Sequence, residues 1–245
     1  MADTFVQNGD VRLHAIDNKS GNHEQVPLLI VPGLAESAAD YIDLIDYLAP
    51  RRCVAITLRG RGLSDAPMSG YSLRDHVSDI AAARATIDHE NICLMAFSRG
   101  VAYGLGYAVD HALDLVGLIL GDYPAFHSSL PPEFAERFLG TTWRGKPASE
   151  RIAAHALRAI QIEAQEVVFW DRLDVIDCPS LILHGAEESG ALLSGDNLDR
   201  YRTHLSRATV EGFPNSGHDL RQPNPEKFYG IISSFLLGLD AELPR

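Results

Sequence analysis

Five short, uninterrupted apolar runs constrain the fold more than any other feature of this chain: residues 26–31, 53–58, 92–97, 115–120 and 180–183. A strand with one wet face alternates apolar and polar residues, whereas a continuous run of this length suits a strand covered on both faces. Helical spacing lies between the runs. Over residues 38–48, apolar side chains recur at Tyr41, Ile42, Leu44, Ile45 and Leu48, and Ser72 with Asp75 three positions on reads as the capped start of a helix reaching about His89. Alternating strand and helix predicts a doubly wound, mostly parallel α/β sheet. Residues 5–6 and 11–15 flank Asn8-Gly9-Asp10, a hairpin signal, so the first edge of the sheet is expected to be antiparallel.

The alternation stops between Tyr123 and Cys178. That stretch holds Pro131-Pro132, helical patterns over 133–139 and 148–168, and no good strand. It reads either as a long helical crossover or as a small helical cap over the carboxyl edge of the sheet. The cap is favoured, giving a core of residues 1–122 and 179–245 and an insertion of 123–178.

The 33 acidic and 21 basic residues leave a formal charge of −12. Such a surface repels phosphate backbones and anionic lipid, so neither nucleic acid nor a membrane is an expected partner. The apolar stretches are far too short to span a bilayer. Met1-Ala2-Asp3-Thr4 has neither a basic nor an apolar signal region, and Cys53, Cys93 and Cys178 show no metal or disulfide spacing. A cytoplasmic protein with buried free thiols is expected. The oligomeric state is not legible.

Ligands of open α/β sheets bind beyond the carboxyl ends of the strands, so the residues after each run are the ones to read. The third run leads into Ala96-Phe97-Ser98-Arg99-Gly100 and then a helix rich in small residues. Small residues two positions either side of a serine fit a strand-to-helix turn so tight that larger side chains would collide, leaving the hydroxyl exposed in a strained conformation. The plainer reading of Ser98 is a helix N-cap. As a nucleophile it needs a base, because a serine hydroxyl is inert at neutral pH. Of ten histidines, His218 stands in a turn, Asn215-Ser216-Gly217-His218-Asp219, after the run 209–213 and before a helix starting near Pro225. His184 lies inside an apolar run and reads as a core histidine; His14, His23, His76, His89, His111, His127, His155 and His204 have no motif around them. Donors for a developing oxyanion would be the backbone N–H groups of Leu34, after Pro32-Gly33, and of Arg99. Gly104 and Gly106 sit within a helix and do not make a dinucleotide fingerprint, and no metal constellation is present, so no cofactor and no metal are expected.

These motifs together resemble the α/β-hydrolase superfamily, in its serine-nucleophile, esterase- and lactonase-like branch with a small helical cap. The likeness runs from Asn8-Gly9-Asp10-Val11 through Arg59-Gly60-Arg61-Gly62-Leu63-Ser64, a family marker of structural character, to Cys178-Pro179 and the histidine turn. It implies an acid on the loop after Gly185, where Glu188 occupies the usual aspartate position. Asp122, which follows the fourth run, is the competing acid, since some hydrolases of this fold carry theirs there. Thr57, Pro32 and Glu188 depart from the commoner aspartate, histidine and aspartate. A serine at the turn excludes relatives that use an aspartate nucleophile. The expected activity is hydrolysis of a small-molecule carboxylic ester, lactone or thioester through an acyl-enzyme formed by Ser98, His218 and Glu188. The alternatives are carbon–carbon hydrolysis, acyl transfer, or a low-turnover receptor. Arg99, a cation at a helix N-terminus, is expected either to pair with a nearby carboxylate or to reach the pocket and favour anionic substrates.

Overall fold

A computed structural model describes residues 2–19 and 24–242 of the chain; Met1 and His23 lie outside them. Its centre is one eight-stranded sheet. The strands are β1 (Ala2–Asn8), β2 (Val11–Asp17), β3 (Leu28–Val31), β4 (Cys53–Ile56), β5 (Ile92–Phe97), β6 (Leu115–Gly121), β7 (Ser180–Gly185) and β8 (Ala208–Phe213), in the order β1-β2-β4-β3-β5-β6-β7-β8. From β4 to β8 every pairing is parallel, while β1–β2 and β2–β4 are antiparallel. The expected α/β architecture with an antiparallel first edge is the one observed. β1 is longer than its apolar content suggests, because Asp3, Thr4, Gln7 and Asn8 are held by ladder hydrogen bonds on a half-wet edge rather than by burial.

The uninterrupted runs exist because two cores divide their residues. Leu29 and Val31 of β3, with Leu94 and Ala96 of β5, face α2 (Leu73–Arg84) and α3 (Gly100–Asp110). Leu28 and Ile30, with Cys93, Met95 and Phe97, face α1 (Ile42–Tyr47) and α6 (Pro225–Glu242). Successive side chains therefore serve opposite cores, and no polar position is tolerated between them. Ser72 caps α2 as expected: its hydroxyl accepts from Asp75 N–H at 3.3 Å and the Asp75 carboxylate accepts from Ser72 N–H at 2.9 Å. The helix ends at Arg84, earlier than the spacing predicts, where the Arg84 guanidinium ties down the carbonyls of Ile87, His89 and Glu90. No helix among the described residues is long and apolar enough to cross a membrane.

Between β6 and β7 the chain forms α4 (Phe134–Leu139) and α5 (Ala154–Glu163). These helices share a separate apolar cluster with Leu34, Ala35 and Tyr71, which places them over the loop that follows β3. Phe169, Trp170, Leu173 and Ile176, though within the same stretch, pack into the main core. The continuous helix predicted over 148–168 does not form. Ala153 N–H donates to Gly60 O at 2.9 Å, Arg61 and Ile152 form a β-bridge, and residues 167–168 pair with Phe126–His127. Backbone groups committed to tertiary partners are lost to a helix, whatever the local propensity.

A serine–histidine–aspartate line at the sheet's carboxyl edge

Ser98 sits between β5 and α3 at φ +54°, a left-handed conformation that costs a non-glycine residue energy and is held here by its surroundings. Its N–H donates to Gly121 O at 2.8 Å and its carbonyl accepts from Val101 N–H at 2.8 Å. The small flanking residues have measurable reasons. A Cβ on Gly100 would lie 2.3 Å from Pro32 O, so α3 can start this close to the end of β3 only with glycine. The methyl of Ala96 occupies room that Gly104 leaves empty: a Cβ on Gly104 would come within 2.8 Å of Ala96 Cβ. Gly104 serves close packing of α3 on β5.

His218 Nε2 lies 2.8 Å from Ser98 Oγ, and His218 Nδ1 lies 2.7 Å from Asp122 Oδ2. An ionised carboxylate can only accept, so Nδ1 carries the ring proton and Nε2 is left to accept from the serine hydroxyl. The ring stacks on Phe97 with centroids 5.1 Å apart, and Trp143 tilts against it at 5.8 Å. Asp122 is fully buried, at 0% exposure, and stands at φ +46°. It also accepts the N–H of Leu192 at 2.9 Å and of Leu193 at 3.3 Å.

The geometry corrects the expectation for the acid. Glu188 lies exposed in the short turn Glu187–Ser189 and makes no bond to His218. β6 adjoins β5 in the sheet, so a residue at the end of β6 stands beside the serine turn, whereas the loop after β7 starts one strand further out. That loop still contributes to the site, through the backbone N–H groups of Leu192 and Leu193. The signal was present in the sequence as the carboxylate closing the fourth apolar run.

Leu34 and Arg99 both line a cavity of about 500 Å³ that opens at Ser98. Gly33 N–H is taken by Glu36 Oε2 at 2.9 Å, but the N–H groups of Leu34 and Arg99 have no acceptor among the described residues. Buried N–H groups are nearly always paired, so two without an acceptor in the lining of one cavity are donors left for a ligand. Arg61 holds this loop through Nε donating to Leu34 O at 2.9 Å, a contact that gives the Arg59–Ser64 marker a role near the site. Apolar walls come from Phe97, Phe126, Leu130, Phe134, Phe138 and Trp143.

The sequence reading also missed an ionic network at the rim. Arg144, at the tip of a hairpin from the insertion, reaches Asp219 Oδ1 at 2.8 Å and Glu36 Oε1 at 2.8 Å, and Arg221 reaches the same Glu36 oxygen at 2.9 Å. It ties the loops around Glu36 and His218 to the hairpin carrying Trp143. No three His, Cys, Asp or Glu side chains among the described residues gather as a metal-binding group.

Parallel strand order, a strained serine between strand and helix, and its histidine and aspartate define an α/β hydrolase. The model of the alpha/beta hydrolase family matches residues 28–231, and the chain belongs to that family. A curated relative, the AB hydrolase superfamily protein YisY of Bacillus subtilis (strain 168), is 24% identical over 218 residues, covering 75% of this chain and 81% of its own. Among solved structures, the esterase RhEst1 from Rhodococcus sp. ECU1013 superposes with a TM-score of 0.79 at 20% identity, covering 98% of this chain and 100% of that one. The N-formylmaleamic acid deformylase of Pseudomonas putida S16 gives 0.77 at 17% identity, covering 94% and 100%.

Proposed function

We propose that the protein is a serine hydrolase that cleaves a small-molecule carboxylic ester, lactone or thioester through an acyl-enzyme. The observation that carries this reading is the hydrogen-bonded line Ser98–His218–Asp122 at the mouth of an apolar cavity. Ser98 Oγ attacks the carbonyl carbon as His218 Nε2 takes its proton. Asp122 holds the Nδ1–H tautomer and stabilises the imidazolium. The carbonyl oxygen, now carrying the charge, is met by the N–H groups of Leu34 and Arg99. His218 then hands its proton to the leaving group. A water attacks the acyl-enzyme, giving one proton to His218 and its oxygen to the acyl carbon; collapse of that intermediate releases the acid and returns the proton to Ser98.

The segment 123–178 acts as a cap, with α4 and the hairpin bearing Trp143 lining the cavity and α5 packed against α4. The similar Rhodococcus protein is named an esterase and the Pseudomonas protein a deformylase, both activities within reach of an acyl-transfer site. Three free cysteines accord with a cytoplasmic setting. The test is labelling by a fluorophosphonate probe, followed by a panel of para-nitrophenyl esters of graded chain length. Covalent modification of Ser98 with turnover of at least one ester is the expected result. A folded protein that neither labels nor hydrolyses any ester of the panel overturns the proposal.

A further inference from the structure

The side chain of Arg99 is a buried cation with no counter-ion among the described residues. The residue is 3% exposed and lines the cavity beside Ser98. Its Nε donates to Tyr103 OH at 3.1 Å, Nη1 to Ser128 Oγ at 3.1 Å, and Nη2 to Ser128 O at 3.0 Å and to His127 Nε2 at 2.9 Å. Every partner is neutral. His127 Nδ1 donates to Gln165 O at 2.7 Å, and burial together with the neighbouring guanidinium lowers the ring to about 4, so it stays uncharged at neutral pH. No carboxylate among the described residues lies within ion-pair distance of Arg99.

The chain does not treat its other buried cations at the site's edge or in the core this way. Arg59 is paired with Asp79, Arg51 with Asp240, and Arg144 and Arg221 with Glu36 and Asp219. Carboxylates are in surplus, 33 against 21 basic residues, so their absence here is not scarcity. An exception lies close by. Arg61 is also buried, donates to the carbonyls of Leu34 and Arg59 and to His76, and leaves Nη2 without a partner. The N-terminus of α3 adds its positive end to the same place. Glu36, the carboxylate that does line the cavity, is spent on Arg144, Arg221, Tyr41 and Gly33 N–H.

Four of the five guanidinium N–H groups of Arg99 are used, and one on Nη1 is left over. Ser128 Oγ and Tyr123 OH, 3.3 Å apart, line the cavity with it. Leaving a desolvated cation unpaired is costly, and a bound anion removes that cost. We infer that this pocket takes a substrate bearing a carboxylate, received by Arg99 with the Ser128 and Tyr123 hydroxyls, while the apolar remainder lies against Phe126, Phe134 and Phe138. The inference rests on the serine-hydrolase reading and narrows its substrate class.

The test compares kcat/KM for two para-nitrophenyl esters of equal chain length, the hexanoate and the monoadipate, which differ in a terminal methyl or carboxylate. The adipate-to-hexanoate ratio is expected to fall by roughly 10-fold or more in Arg99→Gln, the scale of one hydrogen bond to a charged group, and to be largely retained in Arg99→Lys. An unchanged ratio in a folded Arg99→Gln overturns the inference. Calorimetric titration of the unmodified protein with levulinate, an unreactive keto acid, and with methyl propyl ketone, its neutral counterpart, does not depend on the variant folding or on catalysis. Tighter binding of levulinate by roughly 10-fold or more supports the site, and equal binding of the two overturns it. If neither ester is turned over, the titration alone judges the carboxylate site, and the hydrolase reading is judged by the fluorophosphonate label and the graded ester panel.

Discussion

Replacing Asp122 by asparagine keeps the shape of the site and inverts its hydrogen bonding. Today the carboxylate accepts three N–H groups, those of Leu192, Leu193 and His218 Nδ1, at full burial. An asparagine offers one oxygen and one NH2. If its NH2 takes the place of Oδ2, that group faces both Leu192 N–H and His218 Nδ1, the oxygen keeps only Leu193 N–H, and the imidazole must carry its proton on Nε2 instead. That nitrogen then donates toward Ser98 and can no longer take a proton from it. The expected loss in kcat is up to about 10⁴-fold, which is about 5.5 kcal/mol of transition-state stabilisation. If the amide turns the other way, its oxygen keeps Leu192 N–H and His218 Nδ1, its NH2 meets the N–H of Leu193, and the mismatch costs about 1–3 kcal/mol of folding stability instead. The assay is steady-state hydrolysis of a short para-nitrophenyl ester, with thermal melting of each variant alongside. Glu188→Gln is the control: its side chain is exposed and makes no bond to the ring, so kcat should stay within about two-fold, as surface changes usually do. An Asp122→Asn that keeps a tenth of the wild-type kcat with its melting temperature unchanged, or a Glu188→Gln that loses as much as Asp122→Asn, refutes the reasoning.

Ser98→Ala should lower kcat by about 10³-fold or more with the melting temperature little changed, and retention of a tenth of the activity would sink the nucleophile assignment. Gly104→Ala should destabilise the protein by about 1–3 kcal/mol, because the added methyl overlaps Ala96, and Ala96→Gly in the same chain should restore most of the loss; strict additivity in denaturant titrations would show that the two residues do not compete for one space. His127 titrates near 6.5 when unfolded and at about 4 when folded. The unfolded chain therefore binds the extra proton first, so stability present above pH 6.5 is lost as the pH falls toward 4. The slope from this one group is at most about 1.4 kcal/mol per pH unit, and His127→Gln should remove it; equal slopes in the two proteins would refute a buried neutral histidine.

Ser98 and His218 were legible in the sequence because each is specified by short-range geometry. A turn that admits only small residues around a serine writes itself into five consecutive positions, and the strained φ of Ser98 and the crowding at Gly100 are its physical content. The parallel sheet was legible for the same kind of reason, since burial on both faces leaves apolar runs that nothing else in a globular chain requires. The partner of His218 is a different matter. Asp122 and Glu188 both follow predicted strands, both precede the histidine, and nothing local distinguishes them. Spatial order does, because β6 adjoins β5 while β7 stands one strand away, and the Asp122 carboxylate is fixed there by N–H groups 70 and 71 residues further along the chain. The helix predicted over 148–168 failed on the same ground, its backbone groups claimed by Gly60 and by Phe126–His127. Neutral partners around Arg99 likewise come from three separate segments, α3, the start of the insertion and, through His127, the carbonyl of Gln165. Local sterics and the periodicity of burial act along the chain and can be read from it. Hydrogen bonds between segments distant in sequence are decided only when the strands take their order and bring one particular carboxylate within 3 Å of the imidazole.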